Sequence, residues 1–436
     1  MIGLADCNNF FVSCERSVDR SLENRAVVVM SNNDGCVVAR SNEAKALGIK
    51  MGQPVFEIRQ LVNSGKVIAL SGQHLLYRDI SLRIHDIFKR YVPHAIDYSI
   101  DESFLDMTGI PDNMLLEIGE AICKACWEEM HIPVTIGFAS TKTLAKIVTE
   151  TCKKRKISVE VLRDASHKDE LLRLLPISEL WGIGRRLSKK LYQAGIFSVA
   201  DFAGKNRYWV RSQLGVNGER SWLELHGVSC IELSHVDRLL QDSISETRTF
   251  PEDIDDYDYI RARIAIYSAD CAKKLRRMNG VCQIVSVFLR TNRFHPEKGI
   301  YRPETSIRLS HYTNDTQEIV NAAIFGLNNV FRTGISYKRA GVIISDIVPA
   351  SSLIPSLFDD SQLFSEQTGD TRDNSHLNTD SKPSSPKPHQ SLMKVVDNIN
   401  AKAGKSPLKL ASQLTFHTLG HNDGYSSSFQ APSRKK

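Results

Sequence analysis

The stretch Ala95–Gly109, AIDYSIDESFLDMTG, reads as two short strands, AIDYS and ESFLDM, that meet near Ile100 and Asp101. Two short strands this close in sequence, meeting at a turn, suggest a hairpin. Working outward, Ile2–Cys7 is another short apolar strand, and a helix-like segment follows it through Val18. AVVVMS (26–31) and CVVARS (36–41) flank the turn-rich NNDG, and KVIALS (66–71) is a further strand. A helical pattern from Leu75 to Tyr91 leads into the hairpin. Beyond it come a helix over 113–130, the strand VTIGFAS and the helix TKTLAKIVTETCKK. Strands mixed with helices in this order predict an α+β sheet covered by helices on one face.

After Lys156 the pattern changes to short helices with glycine turns, running to about Cys230. The chain then reads strand ISETRTF, helix 257–279, strand VCQIVSVFLRT, strand TSIRLSHY, helix 315–332 and strand YKRAGVIISDIV. This βαββαβ order is that of a ferredoxin-like module. Past Ser351 the composition turns to Ser, Asp, Pro and Lys, too polar to offset the entropy of ordering, which predicts a disordered linker. A short periodic patch, LMKVVDNINAK, follows it.

The 436 residues are 42% hydrophobic and 24% charged, which excludes a fibrous or wholly disordered chain and allows several domains. The excess of 56 Lys+Arg over 50 Asp+Glu, a net +6, permits a nucleic-acid partner without naming one. The nine cysteines are odd in number and scattered, as expected of reduced thiols in a cytosolic protein. Cys123 and Cys126 lie in a helical pattern with no second ligand pair, so helix packing is favoured over zinc or redox chemistry. MIGLADCNNFF has no basic leader, and no apolar run is long enough to cross a bilayer. A soluble cytoplasmic protein without a membrane partner is expected.

Asp6 ends the first strand, and Asp101 and Glu102 stand at the hairpin turn. If these strands are neighbours, three carboxylates gather at one sheet edge, an oxygen-rich set that suits Mg²⁺. From spacing alone, solvated acidic turns are the simpler reading. Lys146 and Lys153 are seven residues apart and share one helix face, where a polyanion could bridge them. Gly182-Ile183-Gly184 separates two short helical segments and is followed by Arg185, Arg186, Lys189 and Lys190. Such a turn brings backbone amides close to a phosphate.

Four blocks in order, ADCNNFFVSCE, SNNDGCVVARSNEAKALGIKMG, YSIDESFLDMTG and GFASTKTLAKIVTETCKK, resemble the Y-family DNA polymerases, and their UmuC-like branch most closely. The resemblance runs from Met1 to about Ile347 and weakly through the tail. It implies a multi-domain right-hand polymerase: palm 1–22 and 75–165, fingers 23–74, thumb 166–235 with a helix-hairpin-helix, and a βαββαβ little finger 240–349. A linker (350–391) and a UmuC-like tail (392–436) complete it.

The resemblance further implies that Asp6, Asp101 and Glu102 are catalytic and, with the Cys7 carbonyl, hold two Mg²⁺ ions. Phe11 takes the place of a steric gate against ribonucleotides, where UmuC-like proteins commonly carry Tyr, while Phe10 is expected in the core. Lys45, Lys146 and Lys153 bind the dNTP triphosphate; Asn42 stands where some branches place an aromatic triphosphate contact. Gly182, Gly184 and the four basic residues after them hold DNA, as do Arg248 and Arg290, with Arg293, Arg308 and Arg339 as further candidates. Leu357 and Phe358 end a clamp-binding peptide that lacks its usual leading Gln.

The implied activity is error-prone, template-directed translesion synthesis in DNA repair and the SOS response. Its implied partners are primer-template DNA, a UmuD-like dimer, a RecA filament and a sliding clamp. The segment beyond Ile347 is too short and polar for a folded proofreading nuclease, which also points to low fidelity. Two other readings share some of these residues: a palm-type nucleotidyl cyclase, which needs neither the glycine turn nor the basic module, and a non-catalytic DNA-binding scaffold, against which the three carboxylates argue.

Overall fold

A computed structural model describes residues 1–31, 35–232, 241–352 and 388–402, together with Leu408 and Gln413. The chain forms two units, one within Met1–His235 and the other within Val236–Gly424. The first begins β1 (Ile2–Cys7), α1 (Phe10–Val18), β2 (Val27–Met30), β3 (Val37–Arg40), α2 (Asn42–Ala46), α3 (Arg59–Asn63), β4 (Ile68–Ser71) and α4 (His74–Phe88). It continues β5 (His94–Asp97), β6 (Glu102–Asp106), α5 (Leu115–Met130), β7 (Val134–Ala139), α6 (Lys142–Arg155) and β8 (Val159–Val161).

Five of these strands make one sheet in the order β5-β6-β1-β7-β8, antiparallel except for the β7–β8 pair. β5 and β6 form the expected hairpin, with Asp97 opposite Ser103. Helices cover both faces rather than one. Leu4 and Phe104 pack with Leu144 and Val148 of α6, whereas Ala5 and Leu105 pack with Ile84 of α4 and Ile122 of α5. Strands buried on both sides read as apolar runs without alternation, and β7 is buried at every residue. The edge strand β8 was not expected after Lys156; three residues are too few for a period to show. A smaller sheet, β3-β2-β4, carries its own core of Val28, Met30, Ile49, Ile58 and Val67.

Four helices follow: α7 (Ala165–Leu174), α8 (Arg185–Gln193), α9 (Val199–Ala203) and α10 (Arg207–Leu225). Their core, including Leu171, Leu191, Phe202 and Leu225, is continuous with the α6 side of the large sheet.

The second unit has the expected order: β9 (Ser243–Ile254), α11 (Tyr257–Arg277), β10 (Gly280–Arg290), β11 (Glu304–Thr313), α12 (Thr316–Val330) and β12 (Tyr337–Pro349). Its sheet, β11-β10-β12-β9, is antiparallel between neighbours. Each helix therefore joins two parallel strands with a third inserted between them, the split βαβ arrangement. Part of the tail forms α13 (Pro388–Lys402). Arg276 of α11 grips Asp397 of α13 through two bonds of 2.8 and 3.0 Å while donating to Asn314 O and Thr316 Oγ1. Leu357 and Phe358 lie outside the described residues.

All nine cysteines are free. Burial pushes the thiols of Cys123 and Cys126 up to about 12, and Cys123 donates to Val134 O, so this pair packs rather than reacts. Among the described residues no helix is long and apolar enough to cross a membrane.

Candidate active site

β1 and β6 pair in a register that sets Asp6 directly opposite Glu102. Opposed residues of an antiparallel pair share a face, so two like charges are brought together there at a cost in stability. α6 covers that face and adds Glu150, and oxygens of Asp6, Glu102 and Glu150 lie within 4.8 Å of one another. Two lysines of the same helix offset the charge. Lys153 Nζ lies 2.5 Å from Asp6 Oδ2 and 3.0 Å from Glu150 Oε1, and Lys146 pairs with Glu102 beneath the Tyr98 ring. Burial drives the Asp6 pKa up to about 7 against the pull of Lys153, and the charges of Glu102 and Asp101 add to the rise.

Asp101 stands beside this cluster and not within it. Its carboxylate accepts from Ser99 Oγ at 2.6 Å, and its carbonyl accepts from the Cys7 N–H at 2.9 Å. Lys146 and Lys153 share the face their spacing implied, but carboxylates are their partners. Glu150 escaped the sequence reading, although its place four residues after Lys146 and three before Lys153 puts it on that same face.

α6 is held against the sheet by a close approach and by a foreign cap. A Cβ on Gly137 of β7 would lie 2.5 Å from Thr149 N, so only glycine lets the helix come this near. Thr149 Oγ1 then reaches Leu4 O at 3.0 Å. At the helix start Thr141 caps Leu144 N, while the buried Glu224 of α10 accepts from Thr143 N at 3.0 Å and from the N–H groups of Cys230 and Ile231. A carboxylate at a helix N-terminus is favourable. No local pattern around Glu224 marks that role.

On the other face, Phe10 is buried in the core as expected. Phe11 is half-buried and stacks on Tyr77, with ring centroids 4.4 Å apart, and His74 meets its edge. Tyr77 is itself fixed, because its hydroxyl donates at 2.7 Å to the fully buried Glu15, whose oxygens also take Gln73 Nε2. Phe11 thus has a rigid backing.

Family models match three separate stretches of the chain. Residues 5–150 match the impB/mucB/samB family, 166–196 the family's helix-hairpin-helix motif, and 241–357 its C-terminal domain. The chain is 34% identical to protein UmuC of Salmonella typhimurium, over 95% of this chain and 93% of that one. The chain belongs to the impB/mucB/samB family. It is a UmuC-like member of the Y-family DNA polymerases. It is also 26% identical to DNA polymerase IV 2 of Halalkalibacterium halodurans, over 80% of this chain and 85% of that one. Its fold is shared with a solved Y-family DNA polymerase chimera at a TM-score of 0.64 and 23% identity, covering 80% of this chain and 99% of that one.

In this Y-family chain the glycine turn is built as the motif requires. Gly182 has φ +86°, a conformation that glycine adopts without strain, and Gly184 caps α8 with nothing near a would-be Cβ. Buried Leu180 and Ile183 anchor the turn, and Arg185, Arg186, Lys189 and Lys190 are all exposed. Lys190 also donates to Gln213 O at 2.8 Å.

In the second unit, register sorts the arginines. Arg290 stands opposite Arg339, and Arg308 opposite Ile284, on the sheet face away from α11 and α12. Arg290 and Arg339 flank the Phe288 ring, which fits because Gly341 opposite it has no side chain. Ser245, Thr247, Ser286 and Ser306 share this open face by the same register. Arg248 does not: it pairs with buried Ala340, on the helix-covered side, and acts on Asp270 of α11. Arg293 lies in the loop after β10 with its guanidinium over the Phe294 ring.

Proposed function

We propose that the chain performs template-directed translesion DNA synthesis, adding deoxynucleotides to a primer 3′ end. The observation that carries this reading is the in-register pair Asp6 and Glu102, joined by Glu150 and faced by Lys146 and Lys153. Crowded carboxylate oxygens on a partly buried edge fit a hard divalent cation. In this reading Asp6, Asp101, Glu102 and the Cys7 carbonyl would hold two Mg²⁺ ions, and Glu150 would add a further carboxylate to the set. An ion held there would supply positive charge for the attacking 3′ oxygen and the leaving pyrophosphate.

The protein's own residues do the rest. Lys45, Lys146 and Lys153 are cations at or near this edge and orient the triphosphate, so that the 3′ oxygen attacks the α-phosphorus, gives its proton to solvent water, and the bond to pyrophosphate breaks as it departs. Phe11, backed by Tyr77, fills the space a ribose 2′-hydroxyl would need. The Gly182–Gly184 turn and the open-face arginines grip the DNA backbone without reading its sequence. The large sheet with α4–α6 is then the palm, the small sheet the fingers, the four helices the thumb and the second unit the little finger. The role in the SOS response, and a UmuD-like dimer, a RecA filament and a sliding clamp as partners, rest on the family resemblance. Neither a cyclase nor a degenerate scaffold has an observation in its favour.

Primer extension on undamaged and abasic templates, with accessory proteins supplied, tests the reading. Wild type is expected to extend both and Asp101→Ala neither; a variant as active as wild type overturns it.

A further inference from the structure

Between the carboxylate Asp6 and the gate Phe11 lie two asparagines whose side chains turn opposite ways. Asn8 is bound to the palm sheet: it exchanges hydrogen bonds with Thr135 Oγ1 at 2.9 and 3.1 Å, and its N–H donates to Pro133 O. Asn9 is in the left-handed region, with φ 50° and ψ 40°. Few residues other than glycine adopt that conformation, asparagine being one of those that tolerate it.

Asn9 occupies the N-cap of α1 yet makes no side-chain cap, the bond for which asparagine is favoured there. Its amide reaches the fingers instead. Oδ1 accepts from Lys45 Nζ at 2.6 Å, and Nδ2 donates to Asn42 Oδ1 at 3.0 Å. Both partners belong to the single turn and a half of α2, which Arg16–Glu43 ties to α1 a second time at 2.9 Å. The Lys45 charge stands in the field of Arg40, Lys153, Glu150 and Asp6, at the margin of the carboxylate edge.

The Asn9 carbonyl still accepts from Ser13 N at 3.0 Å to start α1, but its side chain forgoes the local cap for a contact to one specific lysine, which points to function. We propose that Asn9 is a positioning residue for the incoming nucleotide: it holds the Lys45 ammonium ready for the triphosphate and, with Asn42, fastens fingers helix α2 beside the gate. Lysine's four-carbon stem is flexible, and ordering it beforehand removes part of the entropy cost of binding. Asn42, where some Y-family branches carry an aromatic phosphate contact, here serves the bridge. The proposal rests on the reading of Lys45 as a triphosphate ligand.

Single-nucleotide insertion kinetics separate the two. Lys45→Ala is expected to raise KM for dNTP about tenfold or more, as loss of a charged contact does. Asn9→Gly keeps the left-handed turn and removes only the amide; KM should rise about three- to tenfold, with kcat within about twofold and the ribonucleotide-to-deoxynucleotide ratio unchanged. In the Lys45→Ala background the same substitution should add less than about twofold, because the two act as one unit. Asn42→Ala, at an exposed side chain, should give a smaller rise of about twofold and tests the bridge without touching the turn. If Lys45→Ala raises KM but Asn9→Gly and Asn42→Ala do not, or if their effect persists in full without Lys45, the role of Asn9 is overturned and that of Lys45 stands. An unchanged KM in Lys45→Ala overturns both.

Discussion

In the five-stranded sheet β7 is buried at every residue, whereas β11 of the second unit alternates between half-buried and exposed positions along most of its length. The five-stranded sheet has helices on both faces, and at one of its edges Asp6 and Glu102 are packed with Glu150, Lys146 and Lys153 of α6. The second sheet has helices on one face and leaves the other to Arg290, Arg308, Arg339 and a set of hydroxyls, with Arg290 paired to Glu304 at 2.7 Å and Arg308 to Asp346 at 3.5 Å in exposed ion pairs. Burial is what separates the two. At the carboxylate edge burial raises the Asp6 pKa against the pull of Lys153, with smaller pushes from Glu102 and Asp101, and such a place suits chemistry. Charges spread over a solvated face interact weakly with each other and remain available to a long polyanion.

The sharpest way to break this contrast is Asp6→Ala. Primer extension should fall about 1,000-fold, roughly 4 kcal/mol of transition-state stabilisation, while DNA affinity measured by anisotropy stays near wild type. An equal loss in binding would mean that the palm edge is a DNA grip like the other sheet. Next in size, Phe11→Ala should lower discrimination against ribonucleotides by about 100-fold, the scale on which a shaped pocket rejects an added hydroxyl. Unchanged sugar selection would remove Phe11 as the gate, and a partial loss in Tyr77→Ala would show that its stacked partner holds it.

On the open face the expectation reverses. Replacing Arg290, Arg308 and Arg339 together by Ala should weaken DNA binding about tenfold or more and make its salt dependence shallower by about 3 units of log–log slope. Insertion at saturating DNA should hardly change, and Arg248→Ala alone should leave the slope as it was. The smallest effect is expected in the helix-hairpin-helix, where Gly182→Ala forces a side chain into positive φ at a cost of about 1 kcal/mol, read as a lowered melting temperature with a modest loss of DNA affinity.

How much was legible follows from how local each signal is. The β5–β6 hairpin, the βαββαβ order and the shared face of Lys146 and Lys153 depend on neighbours in sequence, and each is found where the pattern implied. The cover on both faces of the five-stranded sheet was missed because a strand that is apolar throughout does not say how many sides are covered. Arg248 and Arg290 look alike in sequence and stand on opposite faces, since a one-residue difference in register inverts a side chain. Glu150 was readable from helical spacing alone, whereas Glu224 caps α6 through the N–H of Thr143, 81 residues before it.

By itself, the sequence determined the alternation of strands and helices, the glycine turn, the chemistry-bearing residues and, through four ordered blocks, the family. Each of these is written in short-range pattern or in residue type. The tertiary structure alone decided that Asp6 faces Glu102, that lysines partner them, that Asn9 reaches Lys45, and which arginines look outward. Those facts depend on strand register and on how elements pack across the chain, where a shift of one residue or a few ångströms changes every partner.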